Sequence, residues 1–174
     1  ALQKLFTIKS DIYVMVDGDD TYPAAKVKNL IKPIRENKAD MTIASRKKFN
    51  SGLVRNFGNF FITKLLSLLF KQKLHDALSG YRAFNYNLIK NLNLTSEDFE
   101  METELIIKSI ENNSKIVEVP IHYNARKESK LRTYNDGIKI MLTIITLFVY
   151  YHPIKSFAIT TISVIAGLVL GALI

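Results

Sequence analysis

The apolar run DIYVMV (11–16) passes directly into Asp17-Gly18-Asp19-Asp20. Short, rich in β-branched and aromatic residues and closed by turn-forming ones, it reads as a fully buried strand with acids at its carboxyl end. From about Pro23 to Asn37, Ala24, Val27, Leu30, Ile31 and Ile34 recur at helical spacing, and Pro33 should kink or split that helix. MTIAS (41–45) returns as a second strand. Strand, helix, strand in that order predicts a βαβ unit in an α/β fold, hence a parallel sheet with its ligands at the carboxyl ends of the strands. The DGDD and SRKK turns both fall there.

Downstream, a helix is expected over roughly Arg55 to Phe70, with a broad apolar face (Phe57, Phe60, Phe61, Leu65, Leu68, Leu69) expected to pack under the sheet, with contact to lipid as the alternative. LHDALSGYRAF (74–84) reads as a loop entering a short strand, FEMETELIIKSIENN (99–113) as an amphipathic helix, and KIVEVPIHY (115–123) as a strand whose Pro120 suits a bulge or a sheet edge. A second apolar helix runs from Asn135 to His152, and HPIKSF breaks it. The last eighteen residues, Phe157 to Ile174, carry no charge and would extend roughly 27 Å as a helix, about the thickness of a hydrocarbon core. They are expected to form a transmembrane helix, with a buried core helix as the alternative. Lys127, Lys130, Arg132, Lys139 and Lys155 precede it, so the positive-inside rule predicts a globular part on the cytoplasmic side. The expected organisation is therefore 1–132 globular, 133–156 an apolar juxtamembrane helix, and 157–174 the span.

A formal charge of +8 calls for an anionic partner: nucleic acid, a phosphate-bearing substrate or an acidic membrane surface. With no cysteine, any metal must be held by oxygen or imidazole. His75, His122 and His152 lack ligand spacing, which leaves the acids. Three carboxylates on one tight turn repel each other unless a hard divalent ion sits among them and bridges to a diphosphate. A solvated turn with helix-capping acids is an equally good reading of those four residues alone. Arg46, Lys47 and Lys48 follow the second strand, and Arg55, Arg82, Arg126, Lys127 and Lys130 also sit near element junctions. In a parallel sheet Arg46 and the acids would emerge on one edge, where metal and guanidinium could grip the same phosphates. Asp76, Glu100, Glu102 and Glu104 are the candidate acids of the second half. Glu102 and Glu104 lie about 200° apart around a helix and cannot share a face.

The ordered set VDGDDTYP (16–23), ASR (44–46), HDALSGYRAF (75–84), FEMETEL (99–105), EVPIHYNAR (118–126) and ESKLRTYNDG (128–137) resembles family 2 glycosyltransferases of the dolichyl-phosphate mannosyltransferase type. The resemblance implies a GT-A (Rossmann-like) fold, of which this chain would hold the carboxyl-terminal portion, with Mg²⁺ or Mn²⁺ as cofactor. It also implies inverting transfer from a nucleotide sugar to a polyprenyl phosphate at the membrane. By position, Asp17 and Asp19 match the acids that bind metal and donor diphosphate, with Asp20 a weaker match, and Arg46 matches an arginine near those phosphates. Arg55, Arg126 and Lys130 match basic positions around donor or acceptor phosphate, and Asp76, Ser79 and Arg82 match the loop lining the acceptor site. Asp17, Asp19, Arg46 and Asp76 are thus the expected catalytic set. Glu102 falls in the helix whose acid is family-typical, with no proton-transfer role assigned.

Two features depart from the family pattern. DTYP follows the acids where many relatives carry a Gln near the metal. The opening half, with its PAYNE-like strand end and DDGS-like nucleotide-binding acids, is not among these residues, so ALQKLFTIKS is compatible with a start inside a longer frame and the chain alone is expected to bind donor poorly. Two rivals remain: a phosphatase reading of Asp17-x-Asp19-x-Thr21, which lacks a later paired-acid loop, and a non-catalytic membrane-anchored partner or remnant. Nucleic-acid binding is not expected, because no recognised module is present. The membrane helices would also allow a homo-oligomer.

Overall fold

The structure, a computed structural model, describes residues 10–19, 21–46, 53–96, 100–122 and 133–172. In chain order these form β1 (Ile12–Met15), a 3₁₀ turn (Ala24–Lys26), α1 (Val27–Arg35), β2 (Met41–Arg46), α2 (Leu53–Leu69), β3 (Arg82–Asn85), α3 (Tyr86–Asn91), α4 (Glu100–Glu111), β4 (Ile116–Ile121), α5 (Thr133–Tyr151) and α6 (Pro153–Ala172).

The sheet is mixed, with order β1-β3-β2-β4. β2 and β4 pair in parallel, while β3 runs antiparallel to both β1 and β2. This corrects the all-parallel expectation: β1 and β2 point the same way, but β3 is inserted between them. The insertion matters for the site. Arg82, the first residue of β3, lies opposite Met15 of β1 and Ile43 of β2, so the chain entering β3 reaches the edge where β1 and β2 end. β4 ends there too, with Ile121 beside Arg46.

Strand alternation divides the interior into two layers. Met41, Ile43 and Phe84 face a larger core built with Leu66, Phe70, Leu105, Ile106 and Ile144. Ala44 and Ala83 face a smaller one with Leu30, Ile34 and Tyr81. Thr42, on that second face, satisfies its buried hydroxyl by donating to the Leu30 carbonyl at 2.8 Å. Each fully buried aliphatic side chain contributes about 1.5–3 kcal/mol.

Several expected elements change in detail. Pro33 does not split α1: it lies in the last turn, where its missing N–H costs one bond, and its carbonyl accepts the Lys38 amide at 2.8 Å. Three chain reversals after helices use a left-handed residue, Asn37, Lys71 and Asn113. Pro120 sits in an edge strand, as expected. α3 was not foreseen. Its signal is Asn85, whose side chain caps the helix by accepting the Leu88 amide at 2.8 Å.

α5 is more than a membrane approach, since Ile140, Ile144 and Phe148 enter the main core. The HPIKSF break shrinks to His152, because Pro153 opens α6 and residues 153–158 are helical. Among the described residues no single helix is long and apolar enough to cross a membrane; only the pair Asn135–Tyr151 and Pro153–Gly167, bent by 112°, has the combined length and composition. The expectation of one straight span over 157–174 is corrected to that extent.

Glu104 anchors the loop before α4. Its buried carboxylate accepts the amides of Thr95 (3.0 Å) and Ser96 (2.6 Å) and pairs with Lys108 at 2.6 Å. Burial alone would raise its pKa, but Lys108 and those amides outweigh it and hold the carboxyl at about 2. A depressed folded pKa stabilises the fold above the unfolded value near 4.5, and this contribution is lost as pH falls toward 2. Glu104→Gln should cost about 1–3 kcal/mol at neutral pH and flatten the loss of stability between those pH values, as read by urea unfolding across pH.

Candidate active site

The acids following β1 begin the site. Asp19 closes its own turn, accepting the Thr21 hydroxyl at 2.5 Å and the Thr21 amide at 3.2 Å through Oδ1. The Asp17 carboxylate lies directly over Gly80, so close that a Cβ at Gly80 would collide with it. Gly80 therefore belongs to the site by what it leaves out, a role its sequence did not announce.

Arg46, at the end of β2, is held by Asp76. Nε and Nη2 each donate to one carboxylate oxygen at 2.5 Å, and the Arg46 amide adds a third bond at 3.1 Å. Asp76 is fully buried and Asn59 donates to it at 3.4 Å. The expected site acid thus holds the expected phosphate-binding arginine, in a bidentate geometry that fixes the plane of the guanidinium.

Ser79 and Arg82 are also fully buried. Arg82 donates to the carbonyls of Ala77 (2.6 Å), Ser79 (2.8 Å) and Glu102 (2.7 Å), so it shapes the 77–79 loop from inside and ties it to the start of α4. Burial lowers its pKa, opposed by the charges of Glu102, Tyr22, Asp76 and Asp17. Ser79 Oγ bonds the Tyr22 hydroxyl at 3.1 Å. Burial pushes that phenol up to about 12, against the pull of Arg46 and of the Ser79 bond. Tyr22 packs against Tyr81 and links the turn after the acids to the loop before β3.

Glu102 completes the cluster. Burial raises its carboxyl to about 7; Arg82 opposes the shift, and Asp17 and Glu100 add to it. Glu102 and Glu104 do face apart, one toward Asp17 and Arg82, the other into the 95–96 loop. Tyr22, Gly80 and the charge state of Glu102 escaped the sequence reading; all three residues stood inside the quoted motifs, but nothing there showed what each one faces.

Arg55 falls in the first turn of α2. Asp20, Lys47, Lys48, Arg126, Lys127, Lys130 and Arg132 lie outside the described residues. Among the described residues no group of three or more acid or imidazole side chains forms a metal cage. Two carboxylates on a turn would nonetheless suit a hard divalent ion.

Residues 5–92 match the pattern of the family described as "Glycosyl transferase family 2". The chain belongs to that family. Among curated relatives, it is 27% identical over 169 residues to the low-salt glycan biosynthesis hexosyltransferase Agl6 of Haloferax volcanii, covering 91% of this chain and 40% of that one. It is 28% identical over 140 residues to the dolichyl-phosphate hexose transferase of the same organism, covering 77% and 60%. The chain thus spans about half the length of the curated relatives it matches. The fold is similar to that of glucosyl-3-phosphoglycerate synthase of Mycobacterium tuberculosis, solved with Mn²⁺, UDP-glucose and phosphoglyceric acid: the TM-score is 0.69 at 18% identity, over 84% of this chain and 52% of that one. The fold is accordingly GT-A-like, with a mixed sheet.

Gly80→Ala offers a test of the Asp17 placement. The added methyl must displace the carboxylate, so Mn²⁺ affinity measured by calorimetry should fall about tenfold or more while thermal unfolding shifts little.

Proposed function

We propose that the chain forms the metal-side and acceptor-side part of an inverting transferase that moves a sugar from a nucleoside diphosphate to a polyprenyl phosphate at the cytoplasmic face of a membrane. The observation that carries this reading is the meeting at one sheet edge of Asp17, the Asp76-bound Arg46 and the Arg82-braced loop.

Asp17 and Asp19 would hold Mg²⁺ or Mn²⁺, whose chemistry there is to neutralise the departing diphosphate. Arg46 would offer a fixed guanidinium to the same anion, and Arg55, Arg126 and Lys130, basic positions matched by the family resemblance, would add positive charge. A polyprenyl phosphate is already ionised near neutral pH, so the residues need only bring two anions together and orient them. Glu102 suits that task. Burial raises its carboxyl well above the ordinary glutamate range, so it adds less repulsion than an exposed glutamate. Arg82, Ser79 and Asp76 keep the acceptor loop in place.

The apolar surface supports a lipid acceptor. α2 leaves Phe57 71% and Leu68 76% exposed, with Phe60 and Phe61 between them. α5 adds Ile138, Leu142 and Ile145, and α6 adds Ile154, Phe157 and Ile162. Large exposed apolar side chains on three successive helices suit the headgroup boundary of a bilayer. The relative named as a dolichyl-phosphate hexose transferase agrees with that choice of acceptor.

In membranes carrying the full-length protein, labelled sugar should pass from nucleotide donor to polyprenyl phosphate only with divalent metal, and Asp19→Ala should lower the rate about 100-fold or more. Full activity of that variant in excess chelator would overturn the mechanism.

A further inference from the structure

Glu118 is not accounted for by the reaction. It lies on the edge strand β4 beside Ile43, in the sheet register that ends with Ile121 beside Arg46. Its side chain is only 12% exposed. The carboxylate accepts the His75 amide at 2.9 and 3.0 Å, the Asp76 amide at 2.8 Å and His75 Nδ1 at 2.5 Å. The next amide, Ala77, is held by the Thr63 hydroxyl at 3.1 Å. Three consecutive backbone amides are thus fixed by side chains at the residue whose carboxylate grips Arg46.

We infer that Glu118 is a positioning residue for Arg46, acting through Asp76. The inference rests on the reading of Arg46 as a phosphate ligand. A carboxylate aims a guanidinium only if its own backbone cannot rotate, and chelation of the His75 and Asp76 amides by one glutamate removes that freedom. The cost is a second, largely buried anion close to Asp76. An uncharged amide at this position would keep one oxygen for the two backbone amides. The carboxylate differs in supplying two equivalent oxygens, one of which takes both backbone amides while the other also reaches the His75 ring.

Two readouts separate this role from general stabilisation. The first needs no ligand: the Arg46 Nε–H resonance in NMR should be shifted and exchange-protected in the wild type and in Glu118→Gln, which keeps one oxygen for the two amides. It should lose that protection in Glu118→Ala, and in Glu118→Asp, which is too short to span them. The second is affinity for inorganic pyrophosphate with Mn²⁺. Glu118→Ala should weaken it about tenfold and Glu118→Gln less than about threefold, whereas Glu118→Ala added to Arg46→Met should cost less than about a further twofold.

A protected Arg46 Nε–H in folded Glu118→Ala or Glu118→Asp, or additive losses in the double variant, would overturn the inference. If Glu118→Ala does not fold, Glu118→Asp and Glu118→Gln decide it by the same resonance. If the wild type binds no pyrophosphate, the phosphate-site reading fails, while the resonance still decides whether Glu118 positions Arg46.

Discussion

The pair between Arg46 and Asp76 is the interaction on which the rest of the site depends. Asp76 is wholly buried and Arg46 nearly so, its side chain 12% exposed, so both charges have left water. Desolvation on that scale offsets much of the Coulomb attraction, and a buried ion pair is a poor device for stability alone. Its value here is directional: two parallel bonds fix the guanidinium plane at the end of β2. Around it the chain spends further buried polar groups on the same small region, with Arg82 on three carbonyls and Tyr22 on Ser79. Polar groups concentrated at a sheet edge, in a domain whose remaining interior is mostly apolar, fit a site for anions.

The mixed sheet explains how such distant segments meet. Were β2 directly beside β1, the acids and Arg46 would still share an edge, but the 74–81 loop would have no strand to carry it there. Inserting β3 antiparallel brings that loop between them, and Arg82 can then brace it from the first residue of the strand. The adjoining apolar faces of α2 and α5 rest on helices whose opposite sides form the core, through Leu66, Ile140 and Ile144. One helix surface stabilises the domain and the other carries exposed apolar side chains.

Much of this was legible in the sequence where chemistry is local. Ile12 to Met15 form the expected strand, but it lies at the sheet edge with Tyr13 buried and Val14 39% exposed instead of being fully buried, because an apolar run does not show on which side a strand is paired. Asp17 and Arg46 announced what stands at two strand ends. The direction of β3 was not legible, because RAFN is too short to show whether it runs with or against its neighbours. The single-residue break at His152 was missed because Pro153, read as a helix breaker, instead starts the next helix. Gly80 and Glu118 were hidden for another reason. One matters through a missing side chain and the other through a contact across more than forty residues of chain, and neither leaves a local pattern.

The central claim is that Asp17 and Arg46 together hold a metal-bound diphosphate. Base and ribose recognition are not needed to test it, so inorganic pyrophosphate is a sufficient probe. The most direct measurement is electron–nuclear double resonance of Mn²⁺ bound to the chain in the presence of pyrophosphate. The account expects a phosphorus hyperfine coupling that disappears in Asp17→Asn and weakens in Arg46→Met. Bound Mn²⁺ without phosphorus coupling, or a coupling unchanged by Asp17→Asn, would contradict it.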